Sequence, residues 1–420
     1  MQTSVLTKAD EKQKNGEEKL REELYQRSSI VYKNMRDPAM LKYYYKFKTL
    51  SLMQKEEIQG SSPPDLFIGR MGYPYVYMGP LVPPQFGDTS IMSTPENWVG
   101  KSIPEIVEYR SMLIRGMHRT KVTNVESGRF ENALKEIALA DRFVYADLKL
   151  SRKPKLGISF DENSQPFGPS APLKEMSLGN ATPNKQVQDA YSDTDMRAST
   201  GILELYQKGV MVSRIQKAFS AGLLGLGDNR KFVPTRWSIT AVDDTIGKDN
   251  LKTVKQCDYI EGIRIYESVA LDNRWIVIMV PGPWSYELVE AWYPKTTWNT
   301  DGESTAIFSS SELYNGRTTY AEIGGCYYAA RMVVSELLKR EQKQASVIIL
   351  REAHPGYVMP MGVWNVREHV RDTIKRQPMH FKTLQESLQY VGQKMDIPIP
   401  IWLKNSTVLR YLQAQRRLFN

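Results

Sequence analysis

Two arginine–glutamate neighbours flank one loop in the C-terminal part of the sequence. Arg351 and Glu352 directly follow the apolar run Val347–Leu350, which has the length and branching of a buried strand. Arg367 and Glu368 fall in the opening turns of a helix predicted after the loop. Arginine can clamp phosphate and a carboxylate can transfer protons, and ligand sites in α/β sheets gather at the carboxyl ends of strands. The loop is therefore a candidate site. The alternative is that two ion pairs merely brace it.

A second polar segment, Lys231–Asp244, is predicted to be a strand. Trp237 lies on its apolar face, and Arg236 lies on a polar face that ends in Asp243 and Asp244. Adjacent carboxylates can ligate a hard divalent cation, but such a pair is as often turn chemistry. We therefore predict no metal site here, and expect the polar face either to be solvated or to face a cleft.

The third segment, Leu66–Pro84, combines an arginine with tyrosines. Tyr73, Tyr75 and Tyr77 recur with a period of two, which is typical of one face of a strand, and Arg70 precedes them. Rings and a guanidinium together suit base stacking and phosphate contact. The alternative is a tyrosine face packed against a neighbouring helix.

Two sets of candidate residues follow from these segments and from the predicted helix that begins near Cys326. The candidates for acid–base catalysis are Asp243, Asp244, Glu352 and Glu368, with Glu290 as a weaker one that fits the rim of an edge strand better. The candidates for nucleic-acid contact are Arg70, Tyr73, Arg236, Trp237, Arg331, Arg351, Trp364 and Arg367.

Composition narrows the class of protein. The 420 residues are 41% hydrophobic and 25% charged, with a net charge of +9, which permits a polyanionic partner. The only two cysteines, Cys257 and Cys326, and four histidines form no zinc or disulfide pattern. We see no signal peptide or membrane span, so a cytoplasmic location is expected.

The predicted fold is α+β, with a mixed, largely antiparallel sheet, a helical N-terminal third and flanking C-terminal helices. Residues 1–60 are expected to form a helical arm, with a helix from Asp37 to about Leu52. Gly262–Tyr293 is predicted to be an antiparallel meander, and the polar stretch Lys295–Thr319 is the best linker candidate.

Four long motifs give the sequence a resemblance to the archaeal Nre family. They are SSPPDLFIGRMGYP (61–74), VPTRWSITAVDD (233–244), YAEIGGCYYAARMVVSELL (320–338) and LREAHPGYVMPMGVWNVRE (350–368). The resemblance implies a cytoplasmic DNA repair protein of archaea, with an N-terminal family region at 61–304 and a C-terminal one at 305–420. It names no cofactor.

Two features depart from the family pattern. Some members carry an N-terminal zinc-binding segment, and this chain lacks the cysteines for it, so it resembles the branch without that segment. Members are also associated with the sliding clamp PCNA through a C-terminal peptide. Here Gln415, Leu418 and Phe419 match its first half, and the chain stops at Asn420, where the aromatic pair of the peptide should follow. Weak or absent clamp binding is therefore expected.

Three functions remain open from the sequence. The first is a repair factor that binds DNA in a basic, aromatic cleft. The second is an enzyme that acts on DNA or a nucleotide with the Arg, Glu and Asp residues of 236–244 and 351–368. The third is a non-catalytic clamp adaptor. No phosphate-binding glycine loop or nucleophile elbow is present to name a reaction.

Overall fold

The computed structural model describes residues 55–154, 164–296, 298–299, 302–357 and 359–419, with side chains as far as 414. Helical segments within these ranges are α1 (Ile103–Ser111), α2 (Arg129–Leu139), α3 (Lys185–Ser192), α4 (Ala198–Gln207), α5 (Val212–Ser220), α6 (Thr235–Val254), α7 (Gly325–Glu341), α8 (Val363–Lys375), α9 (Leu384–Lys394), α10 (Ile399–Asn405) and α11 (Thr407–Phe419). The helix predicted from Asp37 to Leu52 lies outside the described residues. No helix in the described part is long and apolar enough to cross a membrane.

The first sheet has six strands in the order β1-β5-β6-β4-β3-β2. All neighbours are antiparallel except β4 and β6, which are parallel. Its strands are β1 (Glu57–Ser62), β2 (Leu66–Ile68), β3 (Tyr75–Val82), β4 (Ile114–Lys121), β5 (Val144–Leu150) and β6 (Ser170–Leu178).

The predicted helical N-terminal third is wrong, because its described part is mostly this sheet. Five of the six strands lie between residues 57 and 150, against two α-helices, α1 and α2. The first 52 residues have a helix-prone composition, but the residues that follow them do not, and most of these form strands. The glycines of this segment allow close strand pairing: β3 and β4 approach so closely that a Cβ on Gly79 would collide with the carbonyl oxygen of Gly116.

The second sheet also has six strands, in the order β11-β10-β13-β9-β8-β14. They are β8 (Ile263–Ala270), β9 (Asn273–Val280), β10 (Ser285–Trp292), β11 (Ala306–Glu312), β13 (Ser346–Ala353) and β14 (Met379–Phe381), and the short pair β7 (Asp258–Tyr259) and β12 (Lys343–Gln344) lies apart. The meander prediction is right for β8 and β9 and wrong for β10. Strand β13 is buried along its whole length, so it takes the central place between β9 and β10, parallel to β10.

Residues 233–244 do not form the predicted strand. Pro234 occupies the N-cap position of α6, and the apolar residues that the helix buries include Ile239, Val242 and Ile246, at helical spacing. The short alternation around Trp237 fits a strand over a few residues only. Because the segment is helical, its residues of even and odd number do not lie on opposite faces.

The helices form the layer that joins the two sheets. One core contains Val76 of the first sheet, Ile246 of α6 and Val277 of the second sheet. On the other face of the second sheet, a separate core packs Leu350 against Leu409 of α11, together with residues of α9. The predicted C-terminal flanking helices are thus present, and alternate residues of β13 face these two cores.

Candidate functional site

Arg351 lies at the centre of an aromatic cluster on the helix-facing side of the second sheet. Its Nη1 donates to Glu290 Oε1 at 2.8 Å, and its Nε donates to Asn273 Oδ1 at 2.8 Å. The guanidinium carbon lies 4.8 Å from the ring centre of Trp275 and 4.7 Å from that of Trp292. Burial alone would lower the pKa of Arg351, but the Glu290 carboxylate holds it above its ordinary value. The guanidinium of Arg351 is therefore charged, forms an ion pair with Glu290 and is fixed in one orientation by its polar and aromatic neighbours.

Glu352 points to the opposite face, because neighbouring residues of a strand do. Its carboxylate accepts backbone N–H groups of Ile397 at 2.8 Å and of Asp396 at 3.2 Å. With His354 and Asp396 it forms, among the described residues, a group that could hold a metal ion. However, Arg274 Nη1 lies 2.7 Å from Asp396 and 3.6 Å from Glu352. The guanidinium already supplies the positive charge there, so the group is better explained as an ion-paired cluster.

Arg367 and Glu368, the second pair of neighbouring arginine and glutamate residues, also form ion pairs with different partners. Arg367 Nη2 donates to Asp243 Oδ2 at 2.8 Å, which ties α8 to α6. Burial raises the pKa of Asp243, and Arg367 opposes that shift. Glu368 accepts from Arg371 Nη1 at 2.8 Å.

Arg331 of α7 completes the buried charges. It donates to Glu312 at 2.8 Å and also contacts Asp244, which pairs in addition with Lys248 at 2.7 Å. Arg331, Arg351, Trp364 and Arg367 are each at most 3% exposed. The catalytic roles of Asp243, Asp244, Glu352 and Glu368 stay predictions, and the observed contacts of these carboxylates are cross-links between elements.

The exposed candidates come together on the first sheet. The rings of Tyr73, on a turn, and Trp237, on α6, contact each other with their centres 5.1 Å apart and their planes tilted by 55°. Beside them, the outer face of β3 and β4 exposes alternate residues, and the guanidinium of Arg119 lies 5.3 Å from the ring centre of Tyr75. We call this surface the aromatic–basic face; it consists of Arg70, Tyr73, Tyr75, Tyr77, Arg119, Lys121 and Trp237. The alternative of tyrosines packed against a helix does not hold, since Tyr75 and Tyr77 are about half exposed.

An open groove of about 620 Å³ adjoins this face at the start of α2. Tyr75, Arg119 and Lys121 line it, and Arg129 adds a further cation. Sequence reasoning selected only Arg70, Tyr73, Arg236 and Trp237 in this part of the molecule. It missed the cations of β4 because Arg119 and Lys121 adjoin the tyrosines only through strand pairing, Tyr77 with Arg119 and Tyr75 with Lys121.

A second opening, the Arg351 cavity, has a volume of about 510 Å³. Its lining includes Glu290, Trp292, Trp298, Phe308, Cys326 and Arg351. Glu290 is 4% exposed, so it is not at the rim of an edge strand. Trp298 and Phe308 were missed, because they fall in the stretch predicted to be a polar linker, which in fact contains β11. The three aromatic residues of this otherwise polar stretch, Trp298, Phe308 and Tyr314, were the signal in the sequence that could have indicated a site.

The backbone of the tail that resembles a clamp-binding peptide is helical. Helix α11 extends to Phe419. Its first half is anchored, since Val408 and Leu409 are buried and Glu287 accepts the N–H groups of Thr407 and Val408 at 2.9 Å. The side chains of Gln415, Leu418 and Phe419 lie outside the described residues.

Comparison with known proteins gives consistent matches over most of the chain. Residues 34–299 match the family described as Archaeal Nre, N-terminal, and residues 312–420 match Archaeal Nre, C-terminal. A protein of Archaeoglobus fulgidus named DNA repair protein NreB is 41% identical over 357 residues, covering 85% of this chain and 90% of that protein. DNA repair protein NreA of Haloferax volcanii is 34% identical over 86% of this chain and 89% of its own length. No solved structure matches.

Proposed function

This chain belongs to the archaeal Nre family, and on that premise we propose that it is a DNA repair protein that binds DNA through the aromatic–basic face. The repair role is supported by the names of the relatives in Archaeoglobus fulgidus and Haloferax volcanii. The DNA-binding role is supported by the side chains of the face. The observation that carries it is the exposed Tyr73–Trp237 pair beside exposed cations.

The chemistry of the face suits a nucleic acid strand. Large aromatic side chains at a protein surface are costly in water, yet Tyr73, Tyr75, Tyr77 and Trp237 are each 44–51% exposed. Bases can stack on such rings whatever their sequence, while neighbouring arginine and lysine side chains contact phosphates. Arg119 and Lys121 lie within the same pair of strands as the tyrosines. A strand laid along β3 and β4 would therefore meet rings and cations together.

The buried arginines give no comparable support. Arg331, Arg351 and Arg367 already bind Glu312, Glu290 and Asp243, and Trp364 packs against Trp98 with ring centres 4.9 Å apart. The charges of these arginines are already balanced by the carboxylates, so a phosphate bound to one of them would compete with a buried ion pair. Of the residues selected from the sequence, Arg70, Tyr73 and Trp237 therefore carry the proposal, and Arg236 lies half-buried on the first turn of α6 beside them.

The test is a titration of single- and double-stranded oligonucleotides, followed by fluorescence anisotropy. We expect Trp237→Ala to weaken binding by about tenfold or more, the usual contribution of one stacked base. Arg119→Gln and Lys121→Gln should each reduce the slope of log affinity against log salt by about 0.7 to 0.9. The matched control is Tyr259→Ala, which removes a similarly exposed ring from β7. Unchanged affinity in Trp237→Ala, together with a flat salt response of the unaltered protein, would refute the proposal.

A link to the sliding clamp PCNA is a separate proposal, and it rests on the family resemblance of the tail. The anchored start of α11 leaves the segment from Gln415 onward as the part that a partner would bind. The contacts of the four candidate carboxylates do not support an enzymatic role. Asp243, Asp244 and Glu368 are held in ion pairs, and Glu352 accepts backbone hydrogen bonds.

A further inference from the structure

The Arg351 cavity has the size and walls of a small-molecule site. Its volume of about 510 Å³ falls within the range of ligand pockets, and it opens to solvent past Trp298 and Phe308. These two side chains are 43% and 50% exposed, and Trp298 meets Trp292 edge to face at 6.4 Å. Rings at a cavity mouth favour a flat ligand, because two faces can then stack on it.

The polar end of the cavity presents a donor and an acceptor side by side. Arg351 and Glu290 both line it, 2.8 Å apart, and both are at most 4% exposed. Arg351 Nη2 is buried and, within the part of the chain that the structure describes, has no hydrogen-bond partner. The ring of Trp292 stacks on its guanidinium, so the arginine cannot swing away to find one. A buried donor of this kind is costly unless a ligand supplies the acceptor.

The charges that line the Arg351 cavity do not favour a phosphate as the ligand. Arg351 is neutralised by Glu290, and the other carboxylate of the lining, Glu322, is paired with Arg317 at 2.9 Å. A phosphate would therefore find no arginine in the lining whose charge is not already balanced by a carboxylate. A neutral, planar group with acceptors and donors along one edge fits both the walls and the polar end. Nucleobases have this chemistry.

The position of the cavity connects it to the aromatic–basic face. Ile239 of α6, which is two residues beyond Trp237, packs with Val363 and Cys326, and Cys326 lines the cavity. The first turns of α6 thus carry the exposed tryptophan on one side and contact the cavity wall on the other. We propose that the Arg351 cavity receives a single nucleobase extruded from DNA that is bound on the aromatic–basic face. This inference rests on the proposed function.

Affinity for two DNA duplexes provides the first test. A duplex with a single-base bulge has already lost most of the stacking energy that extrusion requires, so the protein should bind it more tightly than the fully paired duplex. Trp298→Ala should reduce this preference by about tenfold and leave the affinity for paired DNA unchanged. Glu290→Gln, checked for folding by circular dichroism, should also reduce it. Phe86→Ala, which removes an exposed ring from elsewhere on the molecule, should not.

Photocrosslinking then distinguishes the source of the base. One arm uses bulged DNA with 5-iodouracil at the bulge, and the other uses free 5-iodo-2′-deoxyuridine; mass spectrometry locates the crosslinked residue in each. Crosslinks from the DNA at Trp292, Trp298 or Phe308 support the proposal. Crosslinks there from the nucleoside alone would overturn extrusion in favour of a free nucleotide. Crosslinks from the DNA only at Tyr73 or Trp237 would refute base binding in the Arg351 cavity and would still support DNA binding on the aromatic–basic face. If the protein binds no DNA at all, the proposed function is refuted. If free 5-iodo-2′-deoxyuridine also gives no crosslink at the cavity, the cavity does not bind a nucleobase either.

Discussion

The buried arginines act as cross-links between elements rather than as free cations. Arg351 joins β13 to β10, Arg367 joins α8 to α6, and Arg331 joins α7 to both β11 and α6. Each guanidinium reaches a carboxylate from a distant part of the sequence. A buried ion pair adds little net stability, but the loss of one partner leaves a charge without compensation.

Asp243→Asn should therefore lower the free energy of unfolding strongly. Arg367 would keep its charge in a buried place with no carboxylate opposite, at a cost of about 3 to 5 kcal/mol. Urea denaturation measures the loss, and Asp228→Asn, at an exposed position, is the control and should change little. Equal effects in the two variants would contradict this role. Loss of DNA binding in folded Asp243→Asn protein would instead return Asp243 to the functional residues.

His369 predicts a pH dependence of stability. Burial lowers its pKa below the ordinary value of 6.5, and its Nδ1 lies 2.8 Å from the carbonyl oxygen of Asn365. Because the unfolded chain then binds the proton more readily, the stabilisation is complete above pH 6.5 and is lost as the pH falls below it. The slope from this histidine is at most about 1.4 kcal/mol per pH unit.

The measurement is the urea midpoint at several pH values through this range. His369→Gln removes the titrating group, so its stability should fall less steeply with decreasing pH than that of the unaltered protein. His380→Gln, at an exposed position on β14, is the matched control. Identical slopes for the unaltered protein and His369→Gln would show that the buried ring does not titrate differently on unfolding.

At the scale of elements, local signals predicted local structure. The spacing of Ser102 and Glu105 is typical of a capping box, which is present at the start of α1, and the apolar run Val347–Leu350 is the buried centre of β13. In both cases, the residues that form the pattern lie within or directly beside the element that they predict. The prediction for 233–244 was wrong because a short alternation fits two periods equally, and only packing against the other helices selected one.

Helix α11 offers a test at the same scale. A protein shortened to residues 1–414 keeps Val408 and Leu409 in the core, so its stability should be within about 0.5 kcal/mol of the full chain. Any retention on immobilised PCNA should be lost with the removed residues. Shortening to 1–406 should instead destabilise by several kcal/mol, roughly the loss of two or three buried side chains. It also removes the N–H groups of Thr407 and Val408, which donate to the carboxylate of Glu287. A destabilised 1–414 protein would show that the tail itself is part of the fold.

At the scale of the molecule, the sequence predicted the class of fold but neither its layers nor its openings. The mixed α+β class is confirmed, whereas two sheets are present where one was predicted. The Arg351 cavity could not be predicted, because its walls come from separate stretches between residues 290 and 366. The polar composition around Trp298 and Phe308 indicated a linker, and only the pairing of β11 with β10 places these rings at the cavity.

The central place of β13 has a consequence for synthesis of the protein. Strands β9 and β10 leave the ribosome well before the strand that must lie between them. Until residue 353 has emerged, the β8–β9 hairpin and the β10–β11 hairpin each expose an edge of unpaired backbone groups. Such edges can pair with other chains. The growing chain therefore passes through an interval in which it is most prone to aggregation, and the arrival of the fully buried strand β13 ends that interval.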